Sequence, residues 1–108
     1  MKTRWIAILL GSLFATGVCA QAKVDGKAAE ELMKKSGCAA CHAIDKKVVG
    51  PAFKDVAAKY KNDKAAEGRL VNKVKAGGAG VWGSVPMAPN TGVKDEDIKT
   101  LVHWILSL

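Results

Sequence analysis

Cys38-Ala39-Ala40-Cys41-His42 gathers two thiols and an imidazole into five residues, and this is the spacing used for c-type haem attachment. The spacing has a physical reason. Two thiols separated by two residues at a helix end can reach the two vinyl groups along one haem edge and form thioethers. The residue after the second cysteine then lies beneath the iron, where an imidazole nitrogen can bind it. Small Ala39 and Ala40 let the backbone approach the ring. A structural zinc site is the first competing chemistry, but it needs a second pair of ligands, and His42 and His103 are the only histidines. A thioredoxin-like redox pair is the second. It sits at the start of a helix after a strand, within a strand-helix-strand pattern that this chain lacks.

An iron with one protein ligand needs a second for rapid electron transfer, because a fixed six-coordinate site changes little on reduction. Met33, Met87 and His103 are the candidates beyond the N-terminal segment. Met33 lies on the apolar stripe of a helix, where core packing is its expected role. His103 sits beside Trp104 in the last helix and is expected to pack there or face water. Met87 is held between Pro86 and Pro89 in a long loop, and the prolines reduce the entropy lost on fixing a sulfur at the iron. Met87 is therefore the expected partner of His42 as a metal ligand. Were Met87 absent from the iron, the alternative would be a haem enzyme or gas sensor with an open position. A thiol-disulfide protein without haem is a further alternative. No carboxylate pair, nucleophile–base pair or phosphate-binding loop suggests an enzyme.

The elements that must position these groups read as helices. Val24, Ala28, Leu32 and Met33 recur at helical spacing over Val24 to Lys35, and Gly37 stops that run. Gly50-Pro51 closes the loop after the cysteine motif. Phe53 to Lys61 and Ala65 to Ala76 are predicted helices, the latter with Ala66, Leu70 and Val74 on one face. A glycine- and proline-punctuated loop over Gly77 to Asn90 is long enough within a compact domain to imply a specific task. Ile98, Leu101, Val102 and Ile105 form the apolar stripe of a last helix from about Asp95 to Leu106. Asp95, Glu96 and Asp97 there favour the positive end of the helix dipole. No segment alternates with a period of two, so an all-α domain of about four helices with no sheet is expected.

The N-terminal segment reads differently. Lys2 and Arg4 precede an apolar run of about 14 residues from Trp5 to Val18, short of the ~20 needed to span a bilayer. Val18-Cys19-Ala20 supplies small residues for a signal peptidase, so residues 1–20 are expected to be a cleaved secretory signal and residues 21–108 the mature domain. Thr16-Gly17-Val18 lacks the residues that normally lead into a lipidated cysteine at Cys19. Removal of this segment leaves Cys38 and Cys41 as the only cysteines, and 15 basic against 10 acidic side chains. With four aromatics left, so short a chain needs something beyond its own core. A large cofactor meets that need.

The sequence closely resembles the small bacterial class I monohaem cytochromes c, the short periplasmic type that donates electrons to nitrite reductases and terminal oxidases. The resemblance spans nearly the whole mature chain. It rests on Gly37 through Asp45, Val49 through Tyr60, Gly80-Val81-Trp82-Gly83, Pro86-Met87 and Trp104-Ile105-Leu106, in that order. It implies the class I cytochrome c fold wrapped around one covalently attached haem. It also implies that Pro51 accepts a hydrogen bond from His42 through its carbonyl, that Trp82 reaches a haem propionate with Lys73 as a second candidate, and that Asn90 donates to the methionine sulfur. Ala88 stands where the family usually has a second proline, and Lys94 occupies the N-cap of the last helix, where serine or aspartate would be better.

Together these readings predict a soluble periplasmic one-electron carrier, monomeric and without stable membrane insertion after cleavage. Its partners would be redox proteins such as a reductase or terminal oxidase, meeting it through an acidic docking surface. Lys34, Lys35, Lys46 and Lys47 flank the motif, and Lys59, Lys61 and Lys64 cluster further on. Most of these belong to solvated helix faces, but a positive rim near a haem edge steers acidic partners at low salt. Nucleic acid is not an expected partner, because the basic residues are not interleaved with aromatics.

Overall fold

The computed structural model describes residues 24–108, so the expected signal segment lies outside the described residues. Four α-helices follow in order: α1 (Gly26–Lys35), α2 (Phe53–Tyr60), α3 (Ala66–Ala76) and α4 (Asp95–Leu106). A single 3-10 turn, Cys38–Ala40, lies between α1 and α2. No strand forms among the described residues. Two isolated bridges, His42 with Lys47 and Gly78 with Met87, are the only β-type pairings there.

The start of α1 falls two residues later than the apolar spacing predicts, and the cause is local. Asp25 is extended at φ −64° and ψ 121°, and its carboxylate accepts from the Lys27 amide at 3.2 Å. A capping carboxylate here satisfies one of the free first-turn amides, so Val24 is left outside the helix and packs on the core instead. Helix α4 has its expected bounds. Lys94 is indeed its N-cap and makes no side-chain capping bond, while three acidic residues in the first turn complement the dipole.

Helix α4 packs against α1, α2 and α3, and so organises the domain. On one side Leu101 and Trp104 join Ala29, Met33 and Phe53 in a buried cluster. On the other, Ile98 and Val102 join Val71. Met33 is buried in the first of these, the core role its position in α1 predicts. No polar or charged side chain is buried among the described residues. None of their helices is long and apolar enough to cross a membrane.

Asp63 fixes the entry to α3. Its carboxylate accepts from the Ala65 amide at 3.0 Å and pairs with Arg69. The Arg69 bond first, and the Ala65 amide second, hold the Asp63 carboxyl below its usual range. A carboxylate with a depressed native pKa contributes stability above its unfolded pKa, and that contribution is lost as pH falls through the native one. Asp63→Ala should therefore lower Tm at neutral pH, with the gap to wild type narrowing as pH drops below about 4. Thermal melts across that range check this, and a gap that stays constant into acid would show that the charge on Asp63 contributes nothing.

Candidate cofactor centre

The 3-10 turn after α1 carries Cys38 at its start, with Cys41 and His42 immediately behind it. The segment that follows folds back on them, since the Val49 and Gly50 amides donate to the Cys41 carbonyl at 3.1 and 2.7 Å. This return brings Pro51 beside His42, whose Nδ1 lies 2.8 Å from the Pro51 carbonyl oxygen. A carbonyl can only accept, so Nδ1 carries a proton, which leaves Nε2 as the nitrogen that can bind a metal. Phe53, the first residue of α2, stacks on the imidazole with centroids 5.0 Å apart. The other edge is bounded by Gly50, where a Cβ would meet the ring, 2.9 Å from Nδ1 and 3.0 Å from Nε2.

Met87 is positioned by a different part of the chain, the loop after α3. Its amide donates to the Gly78 carbonyl at 2.8 Å, and the Gly78 amide returns the bond to the Met87 carbonyl at 3.0 Å. Beyond it, the Asn90 amide donates to the Val74 carbonyl at 2.9 Å, and the Asn90 side chain donates to the Ser36 carbonyl at 3.3 Å. The loop is thus tied to the end of α3 and to the turn that precedes Cys38.

Both segments border a cavity of about 600 Å³. Cys38, Cys41, His42, Pro51, Lys73, Trp82, Met87 and Asn90, every candidate site residue, border it. The rest of its wall is largely apolar, with Val56, Leu70, Val74, Ile98, Leu101 and Ile105 from three helices. Met33 and His103 are not among its borders. His103 instead directs Nδ1 to Glu67 of α3 at 3.5 Å. Trp82 is 43% exposed, and the Lys59 ammonium lies 5.6 Å from its ring centroid. This Lys59 contact, like those of Phe53 and Gly50 with His42, was not anticipated from the sequence.

Neither thiol is in a disulfide. Burial pushes the Cys38 thiol up; a backbone hydrogen bond opposes this, and a charge on Cys41 would add to it. A nucleophilic redox cysteine needs the opposite shift, and the strand that precedes such a cysteine in a thioredoxin-like pattern does not form among the described residues.

Comparison with known proteins agrees with this geometry. Residues 26–108 match the Cytochrome c family. The chain belongs to the cytochrome c family. It is 61% identical to cytochrome c-551 of Allochromatium vinosum over 77 residues, covering 71% of this chain and 82% of that relative. It is 46% identical to cytochrome c-552 of Nitrosomonas europaea over 108 residues, 100% of this chain and 99% of the other. The crystal structure of wild-type Nitrosomonas europaea cytochrome c552 superposes with a TM-score of 0.71 at 52% identity, covering 73% of this chain and 98% of that one. The fold is the all-α class I cytochrome c fold, and the chain is a small monohaem member of the family with one covalent haem c. It is a haem-based electron carrier.

The residues present fit that cofactor. The cavity lies within the range of about 300–1,000 Å³ typical of ligand sites, its walls are apolar, and soft and imidazole donors suited to iron face it together. Gly50→Ala in this cytochrome should push the His42 ring off its Pro51 bond. Overpacking of this kind destabilises by about 1–3 kcal/mol. A lowered Tm with a displaced Soret band is expected, and an unchanged Tm and spectrum would mean that Gly50 does not confine the ring.

Proposed function

We propose that this cytochrome is a periplasmic one-electron carrier whose haem is attached at Cys38 and Cys41 and whose iron is ligated by His42 and Met87. Residues 1–20 are the cleaved export signal in this reading. One observation carries it: the two thiols, His42 and Met87 border one cavity, while Met33 and His103 lie elsewhere.

When bound, the haem supplies an iron that cycles between ferric and ferrous states, and thioether sulfur favours the ferrous state more than a second imidazole would. The chain's own residues set how that happens. Pro51 holds the proton on Nδ1 of His42, so that Nε2 stays free to bind metal and the ring gains basicity. Phe53 and Gly50 confine the ring on its face and edge. The paired bonds with Gly78 fix the Met87 backbone. A pair of ligands held this firmly changes little between oxidation states, and small reorganisation makes electron exchange fast. The apolar walls exclude water and disfavour the extra charge of the oxidised centre, which raises the potential further.

Polar groups complete the site. The Trp82 indole N–H and the Lys73 ammonium are donors for propionate oxygens at the cavity edge. The Asn90 amide has two hydrogens; one goes to Ser36, and the second is available to the Met87 sulfur. Lys34, Lys35, Lys46 and Lys47 are all exposed beside the cysteine motif and steer acidic faces of redox partners, a reductase or an oxidase, toward it. The carrier works as a monomer.

Visible and near-infrared absorption of the mature protein in both oxidation states tests the reading. A low-spin c-type spectrum with the weak sulfur-to-ferric-iron band is the expected result. A low-spin haem spectrum without that band would exclude Met87, and a high-spin spectrum that responds to carbon monoxide at once would replace the carrier with an open-site protein.

A further inference from the structure

We infer that Gly77 is the residue that positions the methionine ligand, by letting the end of α3 act as the template against which Pro86–Asn90 is laid. The inference rests on the reading of Met87 as the iron ligand.

Gly77 is the C-cap of α3, at φ 69° and ψ −165°, a backbone conformation essentially confined to glycine. Its amide still belongs to the helix and donates to the Lys73 carbonyl at 2.7 Å. The chain then turns sharply enough for Gly78 to form both bonds with Met87. The space outside the Gly77 Cα is taken by the returning segment. A Cβ there would collide with the Met87 carbonyl oxygen, and would lie 2.8 Å from the Pro89 nitrogen and 3.0 Å from the Ala88 carbonyl carbon. All three are backbone atoms, so no rotamer change can relieve the overlap. At Gly78 the contrast is clear, because a Cβ would meet the mobile tip of Lys73.

Two independent constraints therefore converge on Gly77: its own dihedral angles and its contact with the backbone that carries the ligand. The Asn90–Val74 bond extends the same seam one turn back along α3. Met87 is held against α3 before any bond from its sulfur is considered. That offsets the absence of a second proline after it, where Ala88 leaves the backbone freer.

The test uses the full holoprotein. Gly77→Ala should keep its haem attached yet lose the near-infrared sulfur band, show a lower potential and bind carbon monoxide in the ferrous state. Gly68→Ala, in α3 with nothing within 4 Å of the added carbon, should retain the wild-type band and potential. Amide hydrogen exchange on the wild type gives a second measurement that does not depend on the variant folding. The Met87 and Asn90 amides should exchange at least roughly tenfold more slowly than those of Ser84 and Val85, which have no bonded partner among the described residues. A Gly77→Ala protein with an unchanged band and potential would overturn the inference, as would Met87 and Asn90 amides that exchange as fast as Ser84 and Val85. If the wild type itself lacks the sulfur band, the ligand reading fails; slow exchange at Met87 would then still show that α3 holds the loop.

Discussion

Met87→Ala is expected to lower the reduction potential, open the iron to carbon monoxide and leave the haem covalently bound. The magnitude follows from the ligand chemistry. Axial ligand identity spans about 0.8 V across haem proteins, and exchange of a thioether for water or a weak donor should take a fall on the order of 0.2 V from that range. At about 59 mV per factor of ten for one electron, the balance shifts toward the oxidised form by more than roughly a thousandfold. Haem attachment should survive, because in this reading it rests on Cys38 and Cys41, which the substitution leaves in place. Potentiometry with the near-infrared spectrum reads both effects. An unchanged potential would eliminate Met87 as ligand and return His103 to consideration, although its side chain is turned to Glu67.

Removal of both proposed attachment points should have a larger effect on the fold than on anything else. Cys38→Ala/Cys41→Ala is expected to yield a colourless chain that is largely unfolded at room temperature. An enclosed void costs about 24 cal/mol per Å³. The apolar walls that α2, α3 and α4 turn to the cleft would lose the group they pack against. The whole stability of a small domain is about 5–15 kcal/mol. The remaining core is small, with Met33, Phe53, Ile98, Leu101 and Trp104 as its large buried members. Far-ultraviolet circular dichroism decides the matter. Native helix content in the double variant would mean that the four helices hold together without their cofactor.

What was legible in the sequence divides along physical lines. The cysteine motif was readable because covalent chemistry demands a fixed spacing, and the place of Met87 on the cavity wall because two prolines bracket it in a long loop. Helix α4 was readable to the residue, since its apolar stripe and acidic first turn agree on the same bounds. The start of α1 was missed because a short cap at Asp25 overrode the apolar periodicity that included Val24. The contacts around His42 were hidden for another reason. Gly50 signals a turn and Phe53 signals a helix start, and neither pattern says that the two residues meet one imidazole, at its edge and on its face. The Gly78–Met87 bridge is a single pair without repeat, so no periodicity could announce it. Lys59 reads as one more solvated lysine, and only the path of the loop brings it over Trp82.

The central place of α4 has a consequence for the order of events as the chain is made. Synthesis proceeds from the N-terminus, so the residues that α1, α2 and α3 need to bury their apolar faces are the last to emerge. Contacts between α1 and α4 close the longest loop in the domain, and such closures come late on entropic grounds. Until then Cys38 and Cys41 sit on a short turn with no finished wall around them. Late closure of the α1–α4 contacts thus leaves the turn that carries both cysteines accessible until the C-terminal helix docks.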